Sequence, residues 1–120
     1  MFAYLASPYT HSNPRIVETR YLQALHATHL LLAQRTPIYS PIVHCHHLAH
    51  TNNLPTDADF WLWYNKNMLA CARKLLVLKL PGWRESKGVE YEMEFAKELS
   101  LPLRGVEVAK GDQLVFSKIV

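Results

Sequence analysis

The run Leu75-Leu76-Val77-Leu78-Lys79-Leu80 is almost unbroken in its apolar character, the pattern of a strand covered on both faces inside a parallel sheet. Such a strand needs a helix on each side and a partner strand beside it, and the rest of the chain supplies both. Phe2-Ala3-Tyr4-Leu5-Ala6 reads as a first buried strand ending in the turn Ser7-Pro8-Tyr9-Thr10. Asn13 and Pro14 then form a good N-cap and first helical residue, and the segment to about Gln34 holds no Gly and no further Pro. Pro37 to Pro41 reads as a short second strand, followed by a His-rich loop to about Pro55. Thr56 and Asp59 form a capping-box variant for a helix over Asp57 to Ala72. After the Leu75 to Leu80 strand come the turn Pro81-Gly82-Trp83-Arg84, a helix from the cap Ser86 to about Leu99, and a fourth strand over Pro102 to Val106. Leu114 to Val120 is an edge strand or a partner-facing tail.

Strands that alternate with helices give an α/β class with right-handed crossovers. The expected architecture is a flavodoxin- or Rossmann-like three-layer sandwich, mostly parallel, in the order 2-1-3-4 with a possible extra edge strand. Ligands in such sheets bind beyond the carboxyl ends of the strands where the order reverses. That selects three loops, Ser7 to Asn13, Pro41 to Pro55 and Pro81 to Ser86.

A chain of 120 residues that is 49% hydrophobic is read as a single domain over residues 1–120, with an ordinary core and little scope for disorder. Apolar runs such as Leu30 to Ala33 are far below the roughly 20 residues that span a bilayer, so no membrane partner is expected. The net charge of +3 without a block of like charges argues against a nucleic-acid polymer and leaves small anions open. No secretory leader is read at Met1-Phe2-Ala3. Cys45 and Cys71 lack CxxC spacing, so a reducing, cytoplasmic setting is expected.

Glu92 is the residue most suggestive of chemistry. On the helix after Ser86 it falls in a stripe with Gly88 or Val89, Phe95, Ala96 and Leu99, whereas Glu90 and Glu94 share another face. A carboxylate on a sheet-facing stripe would be desolvated and poised near neutral pH; the alternative is a slightly rotated helix with Glu92 paired to Lys87 or an Arg. Ser86-Lys87-Gly88-Val89 offers free N–H groups, a hydroxyl and a glycine that lets an anion come close. Glu92 lies six residues from Ser86, roughly 9 Å along the axis at about 1.5 Å per residue, which suits a 5′-phosphate at one end and an anomeric carbon at the other. Asn65 falls in the stripe of Trp61, Leu62, Met68, Leu69 and Ala72, as a ligand-binding amide or a satisfied buried one. The cluster His44-Cys45-His46-His47 with His50 invites a metal reading, since His44 and His46 share a face if extended, but no HExxH or acidic cluster supports it. No metal and no cofactor is expected. Tyr9 is a candidate catalytic residue that stacks on a base or hydrogen-bonds through its hydroxyl, or else an ordinary rim aromatic; Cys45 and Cys71 have no evident base beside them; and Trp61, Trp63, Trp83 and Tyr64 read mostly as core or interface, with one of them flooring a pocket.

Together these residues resemble the nucleoside 2-deoxyribosyltransferase superfamily, in particular its small bacterial and phage-borne branch. Tyr4-Leu5-Ala6-Ser7-Pro8-Tyr9 resembles the opening motif, and Ser40-Pro41-Ile42 with His44 and His46 the second loop. Leu80-Pro81-Gly82-Trp83 with Ser86-Lys87-Gly88-Val89-Glu90-Tyr91-Glu92 resembles the signature. The likeness runs from about residue 2 to 108. It implies that Glu92 is a nucleophile that displaces the base of a nucleotide or nucleoside and is released by water or by a second base. It further implies that Ser86, Gly88 and the neighbouring amides hold a 5′-phosphate, that Ser7, Tyr9 and Trp83 belong to the pocket, and that His44 or His46 reaches sugar or phosphate. A homodimer is implied as well.

The sequence departs from that pattern at Asn65, where an Asp is expected to help protonate the leaving base, and at Arg73, where a further acid is common. A positioned acid is worth on the order of 10²- to 10⁴-fold in rate. The expectation is therefore an N-glycosidase or deoxyribosyltransferase working through Glu92; the alternative is a catalytically weak nucleotide-derivative binder for sensing or sequestration. A metal-dependent hydrolase on the histidine segment is a third reading.

Overall fold

The computed structural model describes residues 1–51, 54 and 58–119. Five strands, β1 (Ala3–Ala6), β2 (Ile38–Tyr39), β3 (Lys74–Leu78), β4 (Leu103–Ala109) and β5 (Gln113–Ser117), form one sheet in the order β2-β1-β3-β4-β5. The first four are parallel and β5 returns antiparallel on β4. The expected order of 2-1-3-4 thus holds, with the extra edge strand added outside β4. The β4–β5 turn places Gly111 at φ 76° and Asp112 at φ 59°, left-handed backbone that glycine adopts at little cost and Asp tolerates.

Alternation along the central strands fills both sides of the sheet. Ala3 and Leu5 of β1 and Leu76 and Leu78 of β3 pack with Ala24, Ala27 and Leu31 of helix α1 (Pro14–Ala33), with Ile42 and Val43 of helix α2 (Pro41–Thr51) against them. Tyr4, Ala6, Leu75 and Val77 face the other way, onto Leu69 of helix α3 (Ala58–Ala70) and Val89 and Ala96 of helix α4 (Lys87–Glu98). This is the three-layer α/β sandwich. The caps read from the sequence hold: Asn13 accepts the Arg15 N–H and Ser86 that of Val89. The helices α1 and α4 both end on a left-handed residue, Arg35 at φ 63° and Ser100 at φ 58°, with Thr36 N–H on Leu31 O and Leu101 N–H on Ala96 O.

The His-rich segment is a helix, not a loop. Ser40 Oγ accepts the Val43 N–H at 3.2 Å, and Pro41 takes the first helical position. Ser-Pro closes β2 and caps α2 at once. The Thr56 capping box and Asp57 lie outside the described residues. No helix among the described residues is long and apolar enough to cross a membrane.

Candidate functional site

Strand order reverses between β1 and β3, and a cavity of about 650 Å³ opens there beside α3 and α4, within the usual range of ligand pockets. The β1–α1 loop brings Ser7, Tyr9 and Thr10; α2 contributes its first residues, Pro41 and Ile42; α3 brings Asn65 and Lys66; and the start of α4 brings Ser86, Gly88 and Glu92.

Glu92 lies on the inward side of α4 between the buried Val89 and Ala96, at the three- and four-residue spacings that share a helix face. Tyr4 on β1 has no solvent exposure, and its hydroxyl donates to Glu92 Oε2. Glu92 as a whole is half-buried, and it lines the cavity. Burial raises its pKa from 4.5 to about 7, against the opposing pull of the Tyr4 hydrogen bond. At neutral pH this group divides between acid and carboxylate.

Sequence reasoning passed over Tyr4 as plain core. The available signal was a phenol in a strand otherwise built of small and aliphatic residues, since a buried tyrosine hydroxyl needs a partner. On α3, Asn65 lines the cavity, and its Oδ1 accepts from the Tyr39 hydroxyl at 3.4 Å. Lys66 also lines the cavity, with its ammonium 4.8 Å from the centre of the Phe95 ring. Both α3 and α4 therefore present polar groups inward at the same opening.

The amino-terminal end of α4 is open to the cavity. A Cβ on Gly88 would meet only Ser86 Oγ at 3.9 Å, so the glycine leaves room rather than relieving a clash. Gly82, at φ 89°, is different: a Cβ there would come within 2.6 Å of Arg20 Nη2. That guanidinium donates to Thr10 O and Pro81 O, tying together the loops after β1 and β3.

Ser7 is 5% exposed and lines the cavity, yet its Oγ has no hydrogen-bond partner among the described residues. An unpaired buried hydroxyl costs about 1–3 kcal/mol. Ser7→Ala should therefore leave the free protein as stable or about 1 kcal/mol more stable in urea denaturation, while weakening any ligand that pairs with the hydroxyl. A clear loss of stability would mean the hydroxyl is already satisfied within the fold.

Three residues named from sequence lie elsewhere. Helical geometry turns His44 and His46 about 200° apart, so they do not share the face that an extended loop would give them. His44 is exposed, with Nε2 3.3 Å from the Tyr64 hydroxyl. His46 is buried behind Tyr9, whose hydroxyl lies 2.5 Å from Nδ1. Trp83 leaves the turn after β3 toward the α4 side of the core, where Arg84 covers its ring at 4.5 Å, and it does not line the main cavity.

Burial pushes the Cys45 thiol up to about 11, which makes it a poor nucleophile at neutral pH. Among the described residues no three His, Cys, Asp or Glu side chains are grouped so as to hold a metal ion. No curated protein matches the chain. A family model described as a domain of unknown function, DUF1937, matches residues 2–107, and the chain belongs to that family.

Proposed function

We propose that the protein acts on the N-glycosidic bond of a nucleotide or nucleoside, cleaving it or transferring the sugar, with Glu92 as nucleophile. The observation that carries this reading is the half-buried Glu92, its carboxyl raised in pKa by burial, bonded to Tyr4 and open to a cavity that ends at the amino terminus of α4. With one oxygen held by the Tyr4 hydroxyl, the other is left to attack an anomeric carbon. The Ser86 hydroxyl, the first free amides of α4 and Lys87 suit a 5′-phosphate, and the orphan Ser7 hydroxyl suits a sugar or phosphate oxygen. Attack forms a glycosyl ester as the base leaves with the bond's electron pair; water or a second base then resolves it.

Incubation with a panel of nucleosides and nucleotides, followed by chromatography, tests the assignment. Free base together with a glycosylated Glu92 peptide in the mass spectrum supports it. Asn65 favours the rival, a nucleotide-derivative binder, because an amide supplies no proton to a departing base; that reading expects bound ligand with no free base.

The setting we infer is cytoplasmic, in keeping with two free thiols. We also infer a homodimer, for which the exposed Leu22, Leu25 and Leu32 of α1 offer an apolar stripe. Sedimentation should show a dimer that Leu25→Glu weakens; an unchanged sedimentation profile in Leu25→Glu removes this stripe as the interface.

A further inference from the structure

Behind the cavity wall, three titratable groups stand in line from the ligand space to solvent. Tyr9 lines the cavity, and its hydroxyl lies 2.5 Å from His46 Nδ1. His46 Nε2 lies 3.2 Å from Glu18 Oε2 on α1, whose side chain is 57% exposed while that of His46 is 9% exposed. The Tyr21 ring stacks on His46 at 4.0 Å and fixes its plane. A carboxylate only accepts, so Nε2 carries a hydrogen toward Glu18, and in the neutral ring Nδ1 accepts the Tyr9 O–H. Among the described residues, no other hydroxyl that lines this cavity is bonded to an imidazole.

We propose that Tyr9, His46 and Glu18 form a proton relay that protonates the leaving base and later takes a proton back from water, an inference that rests on Glu92 acting at an N-glycosidic bond. It supplies what Asn65 lacks. In the first half-reaction the C–N bond breaks with its electron pair going to the base nitrogen, and Glu92 forms the new C–O bond. The Tyr9 O–H proton passes to that nitrogen while the Nδ1 proton of an imidazolium His46 moves onto the Tyr9 oxygen. His46 is left neutral with Nε2–H on Glu18, the tautomer that the Glu18 carboxylate favours. In the second half-reaction water attacks the anomeric carbon, the ester's electron pair returns to Glu92, and the water proton passes through Tyr9 to Nδ1. The sum is one water consumed, one base and one sugar released.

Tyr9 is the catalytic group of the three, because it faces the ligand; His46 and Glu18 act through it. Burial and the Glu18 carboxylate hold the Tyr9 phenol above its ordinary pKa, so it passes protons on rather than resting as phenolate. His46 is faced by Glu18 and Tyr21 from α1, Tyr9 from the loop after β1, and His47 and His50 from α2. Burial, with help from His50 and His47, keeps its imidazolium below the usual range, and Glu18 works against that.

The forward step needs ionised Glu92 together with protonated His46, so base release should trace a bell against pH. His46→Gln should lower release of a neutral base on the order of 10²-fold and turn the bell into a curve that rises and stays level in alkali. A substrate with a cationic leaving base, which needs no proton, should lose far less. Glu18→Gln, an exposed change that spares the fold, should lower the pH at which the His46 ring nitrogens titrate in ¹⁵N NMR of the free protein, and should move the bell with it. An unchanged bell in His46→Gln, equal losses for neutral and cationic leaving groups, or an unmoved His46 titration in Glu18→Gln overturns the relay. Glu92→Gln run alongside separates the two failures: loss of release there keeps the glycosidic reading while the relay falls, whereas full release there brings down both. Should wild type release no base from any substrate, both fall as well.

Discussion

Glu92→Gln is expected to cut base release by roughly 10⁴-fold or more, because the amide cannot form the glycosyl ester, and to make the protein more stable in mild alkali. The second effect follows from the same burial. The carboxyl's pKa rises from 4.5 to about 7 on folding, so the native state holds this proton more tightly than the unfolded chain does. Its contribution to stability is fully present below about pH 4.5 and is lost as pH climbs through 7. Above that, the ionised, half-buried carboxylate costs roughly 3 kcal/mol. Gln has nearly the same shape and keeps an oxygen for the Tyr4 hydroxyl, but it does not titrate. Urea denaturation should therefore show a gap between variant and wild type that widens from pH 5 to pH 8 in favour of Gln. A gap that ignores pH would mean the carboxyl is hydrated, and the argument for its chemistry would go with it. A site that is destabilising when charged is what a protein retains for function rather than for folding.

The sheet, its order and the general course of three of the four helices, α1, α3 and α4, were legible where one physical rule spoke alone. Continuous apolar runs gave β1 and β3, and the Ser86 cap with the stripe of Val89, Glu92 and Ala96 gave both α4 and the anomalous carboxylate. Legibility failed where one residue pair obeys two rules. Ser40-Pro41 ends a strand and starts a helix, and reading only the first turned α2 into a loop. That error carried over to His44 and His46, whose directions depend on the helical twist. Trp83 sits in a turn whose exit is set by Gly82 at positive φ and by the Arg20 clamp from α1, a long-range contact with no local signature. Tyr4 and Glu18 were missed for a similar reason: each gains its meaning from a partner far away in the chain, Glu92 for one and His46 for the other.

Asn65→Asp is expected to raise release of neutral bases on the order of 10- to 100-fold. The substitution conserves shape, so the Tyr39 hydroxyl, now 3.4 Å from Oδ1, can go on donating to the same oxygen. Burial holds the Tyr39 phenol well above its ordinary pKa, so it remains protonated and able to donate. The second carboxyl oxygen replaces the amide nitrogen at the cavity wall. Partial burial and a second carboxyl in the same cavity both favour the protonated form, so with Glu92 ionised the new Asp holds a proton that the base can take as it leaves. The two carboxyls then titrate as a pair, and the pH profile should move to the values of that pair. The gain should stay below the full value of a general acid because the Tyr9 relay already supplies part of it. Leaving-group dependence decides the matter: a cationic nicotinamide-type glycoside gains nothing from a proton donor, so its rate should stay within about twofold while that of a neutral base rises. Equal acceleration of both would show that the new carboxylate acts by charge rather than by proton donation, and bound ligand with no free base in either protein would leave the binder as the better description.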